Sequence, residues 1–200
     1  MNEATPAPKG AAATLPALRL SHMGMFVRDL ERMGDFYKDV LGFVETDRGP
    51  ARGFQVIFLT RHPEAHHQLV LSSGRPDTSG PTHAVQQMSF MATSLDDLRH
   101  MHAVVSRRDD VSDINPVDHG NAWSLYFRDP EQNRIEVYID SPWHVAQPHH
   151  IALDLSLTDE EIHEQTRARI ADDPTFEPME RWHAAQREKL RAAGIPDLRD

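Results

Sequence analysis

HGNAWSLYFRDPEQNRIE, running from His119 to Glu136, spells out a hairpin. Ala122–Phe127 alternates in the manner of a strand, and Arg134–Ile139, RIEVYI, is the next. Between them Asp129, Pro130 and Asn133 supply a D-P-x-x-N turn, whose residue types favour tight reversal of the chain. The turn chemistry explains those three residues. It does not explain Glu136, which stands between Ile135 and Val137 in an otherwise apolar strand. A buried carboxylate is costly unless it is paired or bound to a cation. Glu136 is therefore either a metal ligand or a surface-facing strand residue.

Reading outward from this hairpin, the same order of elements occurs twice. Leu18–Val27 alternates like a strand, and Asp29-Leu30-Glu31 opens a helix with Leu30, Phe36, Tyr37 and Leu41 on one face, stopped by Gly42. Phe43–Thr46, Gly53–Thr60 and His67–Ser72 read as three further strands. Then Val85–Ala92 is a strand, and Ser94 caps a helix with Asp97 three residues on. Asp113–Val117, Ala122–Phe127 and Arg134–Ile139 close the second set. Each set is βαβββ. Placing Leu30 on Leu95 puts His22 on Gln87. Placing Arg61 on Arg128 matches R-H-P-E with R-D-P-E and puts Leu69 on Glu136. The expected fold is α+β: two tandem βαβββ modules, 18–73 and 83–140, whose sheets curve around a shared cleft. Side chains from the first and last strands of each module would meet there, held on rigid elements.

Composition narrows the chemistry. The chain has 200 residues, enough for a core without disulfides or a structural metal. It contains no cysteine, which excludes zinc–thiolate sites, iron–sulfur clusters and thiol nucleophiles. Any metal must be held by nitrogen and oxygen, a set suited to iron, manganese, nickel, zinc or magnesium. The net charge of −10 lacks the basic footprint of a nucleic-acid-binding protein. No apolar run is long enough to span a membrane. Residues 1–17, rich in Ala and Pro, read as a disordered tail without a signal-peptide core, and the expected compartment is the cytoplasm.

The repeat together with YFRDPEQNRIE resembles the vicinal oxygen chelate superfamily, which includes glyoxalases, fosfomycin-resistance proteins and extradiol dioxygenases. The resemblance covers roughly 18–142, the hairpin is similar to the closing hairpin of the dioxygenases, and the PWHVAQP passage from Pro142 and the EPMERW stretch from Glu177 resemble the ends of small biphenyl-diol dioxygenase-like proteins. It implies that Glu136 ligates a divalent metal, Fe(II) before Mn, Zn or Ni, and that Tyr126 points into the same pocket. It further implies that His22 is a first-strand ligand; a strand-start histidine is the plainer alternative. The dioxygenase pattern has a second histidine where Gln87 stands, and glyoxalase-like relatives use Gln at such a position. Leu69 holds the fourth corner, or Gln68 if the strand slips by one residue. His119 matches a pocket histidine able to move protons near neutral pH; a turn histidine is the alternative, as core packing is for Tyr126. His66 and His67, adjacent before a strand, are expected to be exposed.

Three functions follow. The first is metal-dependent extradiol cleavage of a small aromatic diol by dioxygen. The second is a glyoxalase-like lyase or isomerase with a redox-inert ion. The third is a metal-free small-molecule binding protein. Beyond the modules, residues 143–200 read as a loop and two helices. One starts at the capping box Thr158–Glu161 and runs to Ile170, and one runs from about Pro178 to Ala193, before Gly194 and Pro196. These helices are available to cover the cleft mouth or to join a second copy in a homodimer.

Overall fold

The computed structural model describes residues 20–51, 53–76 and 85–194. The tail expected over 1–17, the start of the second module at position 83 and the helix-ending Pro196 lie outside these. The first module contains β1 (Met23–Val27), α1 (Leu30–Asp39), β2 (Val44–Ala51), β3 (Phe54–Thr60) and β4 (Leu69–Ser73). Its sheet runs β1-β4-β3-β2, with β1 parallel to β4 and the other pairs antiparallel. The second contains β5 (Met88–Met91), α2 (Leu95–Val105), β6 (Ser112–Asp118), β7 (Ala122–Arg128) and β8 (Arg134–Asp140). Its order, β5-β8-β7-β6, repeats the first. After it come β9 (Trp143–His144), β10 (Ile151–Ala152), α3 (Asp159–Ile170), β11 (Glu177–Pro178) and α4 (Met179–Ala192). β10 extends the second sheet along β6, and β11 pairs with β9.

The helices begin where their capping residues stand. The Asp29 carboxylate accepts from Arg32 N at 3.0 Å, and Ser94 Oγ from Asp97 N at 3.1 Å. Thr158 and Glu161 bond reciprocally at the start of α3. One face of α1, carrying Met33, Phe36 and Tyr37, is buried against β3 and β4, and Leu98 and Val105 of α2 do the same in the second module. These residues join Leu59, Leu71, Leu125, Phe127 and Ile135 in one core spanning both modules. α3 docks through Thr166, whose hydroxyl accepts from Trp123 Nε1 and donates to buried Asp118, both at 2.8 Å. α4 buries no residue; its Trp182 stacks on His144 at 4.8 Å.

Strand register corrects one expectation. Met23 pairs with Leu69 where Met88 pairs with Ile135, and Leu59 faces Leu69 where Phe127 faces Ile135. Leu69 is thus the counterpart of Ile135, and Val70 is the counterpart of Glu136. Counted between paired residues, the chain from Leu59 to Leu69 is two residues longer than that from Phe127 to Ile135, so matching the R-x-P-E turns shifts the strand that follows. The fourth corner of the cleft is neither Leu69 nor Gln68. Gln68 instead closes its own turn by accepting from Arg61 N at 2.9 Å. The first-strand match stands, because Met23 and Met88 hold the same place and so His22 corresponds to Gln87.

The β7–β8 turn also binds the modules together. Glu131 Oε1 accepts from Arg28 N at 2.6 Å and Asp29 N at 2.8 Å, where β1 turns into α1. Arg75, just after β4, reaches Glu131 Oε2 at 3.4 Å and Asn133 Oδ1 at 2.9 Å. Asp129 accepts from Glu131 N, Asn133 N and Asn133 Nδ2, and from Tyr37 Oη at 3.3 Å. Burial raises the Asp129 carboxyl above the usual carboxylate range, and those donors pull it partly back. The matching turn of the first module, Arg61–Glu64, is exposed. Glu131→Ala should therefore cost roughly 3–5 kcal/mol in urea unfolding, the range for removing one partner of a buried charged contact. Glu64→Ala, at the corresponding exposed turn, should stay within about 0.5 kcal/mol.

Candidate functional site

Alternation along β7 and β8 sorts their side chains. Leu125, Phe127, Ile135 and Val137 are buried in the core. Ser124, Tyr126 and Glu136 share the other face. Glu136 is 8% exposed, and four donors gather on its carboxylate. Ser124 Oγ and Tyr126 Oη donate to Oε1, the former at 2.9 Å; Gln87 Nε2 at 2.9 Å and Ser89 Oγ donate to Oε2. All four are neutral. Among the described residues no ion pair includes Glu136. Its hydrogen-bonding capacity is met while its charge is not.

A second link extends this array. His119 Nε2 lies 2.9 Å from Tyr126 Oη, and His119 Nδ1 lies 2.6 Å from the His149 carbonyl. A carbonyl oxygen only accepts, so Nδ1 carries a proton. Tyr126 has one hydroxyl proton. If that proton goes to Glu136, Nε2 must carry another and His119 is an imidazolium. If Glu136 is protonated, it donates to Tyr126, and Tyr126 donates to a neutral Nε2. The array thus shares one proton between its two ends. Tyr126 stays a phenol throughout, because burial first, and then the bond to Glu136 and its charge, push its ionisation above the usual tyrosine range.

The loop that carries His119 is held from outside the modules. Gln147 Nε2 donates to the His119 carbonyl at 2.9 Å and to Asn121 Oδ1 at 3.0 Å. Gly120 has φ +74°, and a Cβ there would sit 2.7 Å from Val145 Cγ1. Glycine at this turn therefore meets both the left-handed backbone and the close approach of the C-terminal segment.

His22, His66 and His67 form a separate group. His22, at the start of β1, is exposed, and its ring centroid lies 4.4 Å from that of His67. His66 bridges the group, 2.9 Å from His67 Nδ1 and 2.8 Å from Asp47 Oδ2. Burial, then the proximity of His22 and His66, lowers the His67 pKa. Both lie in the loop before β4, as expected; His66 is exposed and His67 is half-buried, and both reach the same cluster beside β1. The signal was the pairing of the His-His loop with β1, made by Met23 N donating to the Gln68 carbonyl at 3.1 Å.

Of the three candidate metal ligands, Gln87 and Glu136 touch, and His22 makes its contact with His67. Among the described residues no three His, Asp or Glu side chains are grouped to hold a metal ion. A two-histidine, one-carboxylate centre is therefore not the arrangement here. A mixed set of imidazole, amide oxygen and carboxylate does suit a divalent ion in donor chemistry. The buried Glu136 carboxylate, which is in no ion pair among the described residues, is the feature that fits one. A cleft of about 360 Å³ opens between β1 and β5, lined by Met23, Met25, Phe26, Gln87, Met88 and Arg134 among others. None of its lining comes from the C-terminal helices.

Comparison with known proteins agrees with this architecture. Residues 19–137 match the family described as the glyoxalase/bleomycin resistance protein/dioxygenase superfamily, and the chain belongs to it. Biphenyl-2,3-diol 1,2-dioxygenase 3 of Rhodococcus globerulus is 32% identical over 127 residues, 62% of this chain and 64% of that protein. The match thus spans less than two thirds of the relative's length. A glyoxalase/bleomycin resistance protein/dioxygenase domain from Frankia sp. EAN1pec superposes with TM-score 0.53 at 23% identity, over 64% of this chain and 93% of that one. That likeness shows the fold. A fosfomycin resistance protein from Mesorhizobium loti has TM-score 0.45 and 21% identity, over 59% and 88% of the two chains. Among the described residues no helix is long and apolar enough to cross a membrane.

Tyr126→Phe removes the middle of the array and leaves Glu136 Oε1 and His119 Nε2 each short of a partner. It should destabilise the protein by roughly 1–3 kcal/mol in chemical unfolding. An unchanged unfolding midpoint would show that the three groups are not linked.

Proposed function

We propose that this chain is an extradiol-type dioxygenase that takes a catechol-like aromatic diol into the cleft between β1 and β5. His22, Gln87 and Glu136 are the residues that would hold its divalent ion, with Fe(II) the first choice. The observation that carries the reading is the buried Glu136 carboxylate, supplied with neutral donors and in no ion pair among the described residues. Identity of 32% with a biphenyl-diol dioxygenase supports the substrate class. When bound, Fe(II) supplies Lewis acidity for two vicinal oxygens and redox capacity towards dioxygen.

The chain's own residues do the rest. Met23, Met25 and Met88 give the cleft an apolar wall against which an aromatic ring can pack while water is excluded. Tyr126, kept as a phenol, offers a fixed hydrogen-bond donor on the Glu136 side. His119 takes a proton through Tyr126 when Nε2 is unprotonated and returns it when it is not. The His149 carbonyl holds the ring in the orientation this requires.

Gln87 favours a second reading. Its amide N–H faces Glu136, so the pair is satisfied without metal. A metal-free binding protein would keep this arrangement. A glyoxalase-like lyase is less well served, since apolar Val70 holds the place of a fourth donor.

Iron-loaded protein supplied with several catechols in an oxygen electrode should consume oxygen and release a coloured ring-cleavage product. Metal analysis should find about one ion per chain, as a single set of three ligands implies, and much less in His22→Ala and Glu136→Ala. No oxygen uptake with any catechol overturns the dioxygenase reading. Failure to retain metal after reconstitution leaves the binding protein.

A further inference from the structure

Arg134 opens β8 opposite Arg128 in the β7–β8 ladder. Arg128 is fully engaged, with Nε on Asp113 Oδ2 at 3.1 Å and Nη1 on the Gln132 carbonyl at 3.1 Å. Arg134 is not. Its guanidinium carbon lies 4.4 Å from the Tyr126 ring centroid, stacked on the aromatic face. Its Nε is buried without a hydrogen-bond partner, and no hydrogen bond or ion pair ties the group to a described residue. Stacking on a ring satisfies the face of a guanidinium and leaves its in-plane N–H donors to be met by something else. A buried charged donor without an acceptor is costly and rare in a folded protein.

The position of this group gives the vacancy a meaning. Arg134 lines the same cleft as Met23, Met25, Phe26 and Met88, and Gln87 lines it too while bonding Glu136. One wall is apolar and suits a ring. The group beside it is a guanidinium, whose parallel N–H donors a planar carboxylate meets two at a time. We infer that Arg134 reads a carboxylate on the substrate, so that the cleft takes carboxylated aromatic diols in preference to neutral ones. This rests on the diol reading above and adds the anionic substituent to it. Arg134 would contact substrate directly, as a specificity residue, and takes no part in proton transfer.

Anaerobic titration calorimetry of the full chain with 3,4-dihydroxybenzoate, catechol and benzoate tests both layers. Dihydroxybenzoate should bind at least about tenfold more tightly than catechol, in keeping with a charge-assisted, two-point contact. Arg134→Gln should erase that gap, so that dihydroxybenzoate and catechol bind the variant within about twofold of each other. Arg134→Lys, which keeps charge and bulk but loses the fork, should keep part of the gap. Circular dichroism on both variants confirms that they fold. Equal binding of catechol and dihydroxybenzoate, or a gap that survives Arg134→Gln, overturns the inference and leaves the diol reading standing. Benzoate binding as tightly as dihydroxybenzoate, with loss in Arg134→Gln, supports the carboxylate role and removes the diol. Absence of binding by all three probes overturns the inference.

Discussion

A four-stranded and a five-stranded sheet, each with a helix on one face, make a cleft only if something sets the angle between them. Glu131 does this. Its carboxylate sits in the turn between β7 and β8 and accepts the backbone N–H groups of Arg28 and Asp29, at the corner where β1 becomes α1. The bonds are charge-assisted, and the acceptor is 5% exposed, so water competes poorly for it. They also lie at the N-terminal end of α1, where negative charge is favoured. Asp129, two residues earlier, holds the turn's backbone and takes the Tyr37 hydroxyl from the helix of the other module. Tyr37 in turn approaches Met25 of β1 and Met88 of β5. One turn therefore orients both edge strands that bound the cleft. The positions of Gln87, Arg134 and the methionines relative to one another depend on it.

Duplication supplied two equivalent hairpins, and the chain has specialised them. Tyr126 faces Glu136 across β7 and β8, and their counterparts Phe58 and Val70 face each other across β3 and β4. The exchange of a phenol–carboxylate pair for a phenyl–isopropyl pair puts the charge of the site on the second module. The R-x-P-E turns have diverged in the same direction. The later one is buried at the junction, and the earlier one, two residues longer, stands in solvent. A cleft with one polar and one apolar wall suits a flat molecule with polar groups on one edge better than a symmetric one. The physics of the asymmetry also limits the metal chemistry. A carboxylate at the Val70 position would give four donors. Without it, any ion must be held by the mixed set drawn from β5, β8 and the start of β1.

Local patterns made most of the fold legible. Helical spacing at Leu30, Phe36 and Tyr37, the caps at Ser94 and Thr158 and the turn at Asp129–Asn133 all act within a few residues, and each element formed near its expected position. Glu136 was legible for a similar reason, because one acid among Ile135 and Val137 needs partners wherever it lies. Three features were not. Glu131 looks like an ordinary turn residue until its partners 102 and 103 residues away are brought to it. The register of β4 was misplaced because similar turn motifs were taken to imply equal loop lengths. The His67–His22 contact depends on β4 running parallel beside β1, a pairing that no local pattern announces. Arg134 belongs to the same group. An arginine in a strand is unremarkable in sequence, and only its missing partner distinguishes it.

The segment after the second module has a part in the site that neither module could supply. An imidazole in a loop can present either nitrogen, and an array needing Nε2 towards Tyr126 must hold the other one. The His149 carbonyl does so. Gln147 fixes that carbonyl's neighbourhood by bonding the His119 backbone and by accepting from His149 N at 3.0 Å. Val145 and Ile170 close on Gly120, where a side chain would collide with both. The outer end of the array is thus set by residues 145–170, and its inner end by Ser89 and Ser124 on strands of the second sheet and by Gln87 just before β5. Between two fixed ends the phenol of Tyr126 meets Glu136 on one side and His119 on the other. The second sheet and the C-terminal segment therefore act on one and the same side chain, and a change at either end of such an array alters the bond at the other.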